Sequence, residues 1–349
     1  MARAKIGVCV RFKNPPAFHR PWEQVYREHL DYAAAVERLG FDGIWVPEHH
    51  CVPSGYNPAP FVALAAIAQV TRTCTIGTQP LLAPLHNPVL AAEQAAVVDV
   101  LSGGRFVLGI GAGYRTGDFE ALGVDRRERG ARTDEVMDIM VKALRATGPF
   151  DYEGRFFQLK GVELFPKPVR PGGPEVQLAV RSAPAAARAG RYGVSVNLLA
   201  ASPAAQYGPL VADAVRARGG DPTEIGACVL RSGFVAESEA AATARVTPYA
   251  KVDAAEYEAW QDRDPDDRRL AAERKAGVGQ SAPAHTAQAL AEAIQSDIQV
   301  MAATGLRPDW VNLSLWPPGM PFAQALDCLE RVAADVLPQV RAAGLAQPA

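Results

Sequence analysis

The chain has 349 residues, 48% of them hydrophobic and 21% charged, with a formal net charge of −2. This is the composition of a globular protein with a sizeable core, and 349 residues suffice for one large α/β domain. It excludes the basic field that a nucleic acid or an anionic membrane surface would require.

Short apolar, β-branched runs alternate with alanine-rich amphipathic stretches along most of the chain. Ile6–Val10 reads as a first strand. Residues 23–39 carry Val25, Leu30, Ala34 and Leu39 near helical spacing and stop at Gly40, a helix C-terminal signal. Phe41–Val46 is a second strand, 58–69 a helix, Cys74–Thr78 a third strand, Pro88–Leu101 a helix and Phe106–Ile110 a fourth strand. Short connections between these units imply parallel strands with right-handed crossovers. The strands are almost continuously apolar, as sheets covered by helices require.

The rhythm resumes with a helix at 127–147, a strand at Val176–Val180 and a helix at 183–191. Then come a strand at Val194–Leu199, a helix at 202–218 and a strand at Ile225–Val235. A helix at 285–304, a strand at Trp310–Leu315 and a helix at 321–343 close the series. Eight strands and eight helices predict a (β/α)8 TIM barrel spanning 1–349 as one domain. An open doubly wound sheet would carry a glycine-rich phosphate turn after its first strand. Here that place holds Arg11-Phe12-Lys13-Asn14-Pro15-Pro16. Two stretches break the rhythm. Residues 150–175 read as a hairpin inserted before the fifth strand. Residues 249–284 are charged and aperiodic, and their place after the seventh strand makes them a candidate lid over the C-terminal face or a solvated insertion.

No apolar run approaches the roughly 18 residues of a membrane span, and the first residues lead into a strand without a signal-peptide core. Cys9, Cys51, Cys74, Cys228 and Cys328 are scattered, with no two at ligand spacing. A soluble, cytoplasmic protein with reduced thiols is expected.

In such a barrel the active site forms at the C-terminal ends of the strands. The second strand ends in Glu48-His49-His50. A carboxylate and two imidazoles there suit metal binding, proton transfer or hydrogen bonding to a cofactor, or a structural Glu–His pair holding a loop. Successive residues of an extended chain point to opposite sides, which argues against His49 and His50 sharing one metal. The third strand ends in Thr78-Gln79-Pro80, where the X-Pro bond is a candidate cis bond. The fourth continues as Gly109-Ile110-Gly111-Ala112-Gly113-Tyr114-Arg115, whose glycines would let a flat or phosphorylated ligand approach the backbone. Arg115 suits a phosphate or carboxylate, and equally a pairing with Asp118 or Glu120. After the fifth strand, Val180-Arg181-Ser182-Ala183-Pro184 places a serine N-cap and a proline at a helix start. That is a phosphate site by its free N–H groups and dipole, or simply a well-capped helix.

These pieces, in this order, resemble the bacterial luciferase-like flavin-dependent monooxygenase family. The resemblance runs from about residue 5 to residue 200 and is loose beyond. It rests on Asn14-Pro15-Pro16-Ala17-Phe18, on Gly40-Phe41-Asp42 leading to Trp45 and Glu48-His49-His50, and on Gly77-Thr78 through Pro84 to Pro88. Leu101–Phe106, the Gly113…Asp118-Phe119…Leu122-Gly123 run and Ala187–Gly193 complete it.

The resemblance implies reduced FMN, supplied by a separate flavin reductase, lying across the strand ends. There it would react with oxygen to a C4a-peroxyflavin that oxygenates a small organic substrate. It makes His49 the catalytic residue, Thr78 and Gln79 the support of the flavin ring, and Val180, Arg181, Ser182 and Ala183 the phosphate site. Gly113, Tyr114 and Arg115 join the cofactor-binding set. The family's phosphate-reaching arginine falls at Ala112 and its reactive cysteine at Gly111, so Arg115 is the substitute and light emission is not implied. Phe12, Glu48, Tyr56 and Trp316, at strand ends, are candidate substrate contacts, with core or rim packing as the alternative. A homodimer packed through helices near the second and third strands is the family precedent.

The Gly113-Tyr114-Arg115…Asp118-Phe119 stretch and the Glu153-Gly154-Arg155 hairpin also resemble branches that use the deazaflavin coenzyme F-420 for hydride transfer. That reading ranks second. A non-catalytic flavin-binding protein and a metal hydrolase rank lower, and no metal is assigned.

Overall fold

In the computed structural model, residues 4–260 and 286–343 are described. Eight parallel strands close into a barrel. They are β1 (Lys5–Cys9), β2 (Gly43–Val46), β3 (Thr75–Thr78), β4 (Phe106–Gly111), β5 (Glu175–Ala179), β6 (Ser195–Asn197), β7 (Gly226–Ser232) and β8 (Arg307–Ser314). Each pairs with the next, and β8 returns to β1 with Lys5 opposite Trp310. The structure is therefore the TIM barrel expected from the alternation. The main apolar core lies between the strands and the surrounding helices, as the strands' apolar character on both faces requires.

The barrel interior has its own small cluster of Trp45, Val107, Cys228 and Trp310. The two indoles meet edge to face at 5.3 Å. Glycines make room for them. A Cβ on Gly77 would lie 2.5 Å from Trp45, one on Gly7 2.8 Å from the Trp45 Nε1, and one on Gly43 2.9 Å from Trp310. Large side chains thus interlock with missing ones, and this end of the barrel is a packed core.

Helix Pro88–Leu101 begins with an Asn87 cap, whose Oδ1 accepts from the Val89 and Leu90 N–H groups. The antiparallel hairpin Phe150–Glu153/Gln158–Val162 lies between helix Arg129–Arg145 and β5. The expected final helix at 321–343 divides into Phe322–Arg331, a π turn Val332–Val336 and Leu337–Ala342, because Pro338 has no N–H for a continuous ladder. Two helices were not anticipated, Thr116–Ala121 and Glu239–Ala259. The second takes in the start of the supposedly aperiodic stretch 249–284. The rest of that stretch, from 261 on, lies outside the described residues, as does His285. Among the described residues no helix is long and apolar enough to cross a membrane.

Candidate functional site at the barrel mouth

Glu48, His49 and His50 follow β2, and their side chains alternate: Glu48 and His50 meet each other, while His49 turns to Asp118. His49 places Nδ1 2.9 Å from Asp118 Oδ2. Asp118 belongs to helix Thr116–Ala121 just beyond β4, and it is fully buried. Its Oδ1 accepts the His50 backbone N–H at 3.0 Å and Arg115 Nη1 at 2.8 Å. Burial raises the Asp118 carboxyl, but the hydrogen bonds from His49, His50 and Arg115 outweigh it and leave the group below its ordinary value. His49 is held below the ordinary imidazole value. Burial is the cause, only partly offset by Asp118. A neutral His49 with an ionised Asp118 fixes the tautomer: Nδ1–H donates, and Nε2 keeps its lone pair.

Glu48 and His50 form a separate network with His86. Glu48 Oε1 accepts Nε2–H from both His50 and His86 at 2.7 Å, and Oε2 accepts the Leu82 N–H at 2.6 Å. Burial works against the charge, yet these donors bring the carboxyl down to about 2. The same carboxylate raises His50 despite its partial burial. Among the described residues these three are the group whose ligand-type atoms cluster, within 4.8 Å. Here the two imidazoles act as N–H donors to one carboxylate oxygen.

The His49 ring is enclosed. Tyr56 lies at 4.8 Å, Tyr114 at 5.6 Å and Trp260 at 4.9 Å between ring centroids. Trp260 follows helix Glu239–Ala259, whose C-terminal end sits over the mouth. Tyr257 of that helix hydrogen-bonds the Tyr56 hydroxyl at 2.7 Å, and the Arg115 guanidinium lies 5.1 Å from the Trp260 ring.

The sequence-predicted residues divide. Thr78 Oγ1 donates to the Gly109 carbonyl at 2.7 Å and accepts the Gly109 N–H at 2.8 Å, tying β3 to β4. Gln79–Pro80 is a cis bond, and Gln79 Oε1 accepts Asn312 Nδ2 at 3.1 Å in the barrel interior. Gly113 has φ +71°, with the Phe119 ring 3.0 Å from where a Cβ would stand. Arg115 takes the Asp118 pairing and also donates to the His50 carbonyl. Ser182 caps helix Ala183–Tyr192, accepting the Ala185 N–H at 3.3 Å. Val180 is buried and bonded to the Asn197 carbonyl, with half-buried Arg181 beside it.

Three expectations change. Gly109 and Gly111 do not open space for a ligand: their missing side chains are replaced by the Thr78 carbonyl and the Pro80 ring. Phe12 and Trp316 are not walls of the His49 pocket. They sandwich the buried His29 ring at 4.9 and 4.2 Å, and the positive φ of Phe12 turns it there. Glu48 is spent on its three donors and is 1% exposed, so it braces loops and does not line a pocket. Sequence reasoning missed roles for Lys13, His86, Asp253, Glu256, Tyr257 and Trp260. It offered Asp118 as a partner for Arg115 and as part of the Gly113…Asp118-Phe119 run, but not as the partner of His49.

The profile of the family described as luciferase-like monooxygenase matches residues 4–304. The chain belongs to that family. It is 34% identical over 200 residues to 4-hydroxyprotoasukamycin monooxygenase of Streptomyces nodosus subsp. asukaensis, covering 56% of this chain and 52% of the relative. It is 29% identical over 161 residues to the oxygenase component of flavin-dependent trigonelline monooxygenase of Acinetobacter baylyi, covering 46% and 44%. The chain thus spans about half the length of these curated relatives. Across the whole fold it resembles monooxygenase RslO1 from Streptomyces bottropensis, with a TM-score of 0.81, 24% identity and coverage of 96% and 99%. An F-420-dependent secondary alcohol dehydrogenase bound to an F-420–acetone adduct superposes with a TM-score of 0.73, 19% identity and coverage of 97% and 100%.

Proposed function

We propose that the chain is the oxygenase of a two-component flavin monooxygenase, acting on a small organic substrate with reduced FMN supplied by a separate reductase. The observation that carries this reading is His49, tautomer-fixed by Asp118 and ringed by aromatics at the mouth of a luciferase-like barrel.

The residues present fit a flavin. Arg115 keeps a buried Nε with no hydrogen-bond partner. The Ser182-capped helix start beside Val180, Arg181 and Ala183 offers N–H groups and positive dipole to a phosphate. Thr78 and Gln79 would support the ring, and Gly113 and Tyr114 would flank it. The bound reduced flavin supplies the two electrons with which oxygen is activated. Asp118 keeps the His49 Nε2 lone pair free to take a proton from the substrate and then return it. Tyr56, Tyr114 and Trp260 exclude water around that exchange. Glu48, through His50 and His86, holds the loops after β2 and β3 in place.

A homodimer is part of the proposal. Helices Pro60–Val70 and Pro88–Leu101 leave Val62, Val70, Leu90, Val97 and Leu101 exposed, an apolar surface that a second copy would cover.

The F-420 reading loses one motive. Glu153-Gly154-Arg155 is tied to helix Arg129–Arg145, where Glu135 accepts the Arg155 N–H at 2.7 Å. It retains the Gly113–Arg115 stretch and the fold likeness.

His49→Ala tests the flavin reading without knowing the substrate. The wild type should alter the rate at which oxygen reoxidises reduced FMN, and the variant should return it to the rate of free flavin. FMN binding, followed by fluorescence quenching, should stay within a few-fold. A variant that handles oxygen as the wild type does would remove His49 from the mechanism.

A further inference from the structure

Lys13 is a cation that the flavin reading leaves without a task. It stands just past β1, and its side chain is 1% exposed. Its Nζ lies 2.5 Å from Asp253 Oδ1 and 2.5 Å from Glu256 Oε2. The Tyr56 and Tyr257 rings flank it at 4.4 and 5.1 Å. Arg11 Nη1 holds the other Asp253 oxygen at 2.8 Å. Two cations at the end of β1 are therefore matched by two carboxylates from helix Glu239–Ala259.

Asp253, Glu256, Tyr257 and Trp260 fall at i, i+3, i+4 and i+7, so one face of one helix end delivers both carboxylates and both rings. The rest of the helix is held by ordinary packing: Ala242 and Val246 are buried, and Ala241 and Tyr249 lie against the core, with the Tyr249 ring 4.8 Å from Phe18. Were it merely a cap on the barrel, apolar side chains would do better, since burying ions costs more than burying methyl groups. The charged face has the chemistry of a ligand. A carboxylate sits on Lys13 and Arg11 while an aromatic ring lies 4.9 Å from His49.

We propose that Arg11 and Lys13 are the recognition site for the carboxylate of an aromatic acid substrate, and that the Asp253–Trp260 face occupies this site as an internal mimic until such an acid displaces it. The inference takes from the flavin reading only that the mouth is the substrate site. A bound acid would keep both cations paired as the helix end leaves, and would set its ring beside His49. A neutral aromatic would leave the buried Lys13 and the partly buried Arg11 bare, so the same cluster selects against it.

The test is calorimetric titration of the full chain, without flavin, by benzoate, benzamide and inorganic phosphate. Asp253→Asn/Glu256→Gln removes the internal competitor and should bind benzoate about tenfold or more tightly than the wild type does. Benzamide should bind the two proteins alike and weakly. Adding Lys13→Gln to the double variant, which leaves that position with no unpaired carboxylate, should abolish the gain, and Lys13→Arg should keep it. Circular dichroism melts confirm that each variant is folded. Equal benzoate affinity in wild type and double variant, or an equal gain for benzamide, overturns the proposal. So does phosphate binding more tightly than benzoate, which would assign the cations to a phosphate group. FMN binding is measured on the same proteins. Its loss with benzoate selectivity intact would sink the flavin reading alone, and the reverse would sink this inference alone.

Discussion

Glu48→Gln removes the charge on which three hydrogen bonds converge, at 2.7, 2.7 and 2.6 Å. A glutamine has one accepting oxygen and turns an NH2 toward at least one donor. The Glu48 carboxyl falls from an ordinary 4.5 to about 2 in the folded chain. That difference of 2.5, at about 1.36 kcal/mol per unit, corresponds to about 3 kcal/mol of stability. For a chain this long the loss should lower Tm by roughly 4 °C. Because the folded value is the lower one, Glu48's contribution is complete above 4.5 and disappears as pH falls through about 2. His50 is raised, so its share is complete below 6.5 and is lost as pH rises through its folded value. The gap between wild type and Glu48→Gln should therefore be widest between pH 4.5 and 6.5. By pH 3 Glu48's share should fall to about half. Urea melts across pH measure it. A gap under about 1 kcal/mol near pH 6, or one that does not change toward pH 3, would refute the reasoning.

His29 is pushed by burial from 6.5 to about 4, so the unfolded chain binds more protons in that window and stability should fall as pH drops through it. His29→Phe keeps the stack between Phe12 and Trp316 and should flatten that slope. The variant should be about 1 kcal/mol weaker at pH 7 through loss of the bond to Val25, yet stronger than the wild type near pH 4.5. A parallel pH profile would contradict this. Gly109→Ala would put a Cβ 2.0 Å from the Thr78 carbonyl oxygen and should cost about 3 kcal/mol or prevent folding; an unchanged urea midpoint would show that β3 and β4 can part.

The barrel was legible because its strands are buried on both faces and so read as continuous apolar runs, as in Ile44-Trp45-Val46. Helix Pro88–Leu101 could be bounded to the residue, since Pro88 opens it and Ser102-Gly103-Gly104 closes it. Helix Glu239–Ala259 offered no such pattern. It buries only Ala242 and Val246, carries Pro248 inside, and spends its contacts on ions and rings. The site was legible where one segment holds the pieces together, as in Glu48-His49-His50 and Ser182. It was not legible where partners come from afar. His86 reaches Glu48 across 38 residues and Asp253 reaches Lys13 across 240, and no local spacing announces either contact. Phe12 and Trp316 do stand at strand ends, but His29 draws both rings into one stack behind the mouth.

The central claim is that this mouth binds a reduced flavin beside His49. Anaerobic titration with reduced FMN and, separately, with reduced coenzyme F-420 tests it most directly. The account predicts saturable binding of reduced FMN, within a few-fold of wild type in His49→Ala, and no comparable binding of F-420. Tight binding of F-420 with no response to reduced FMN would contradict it.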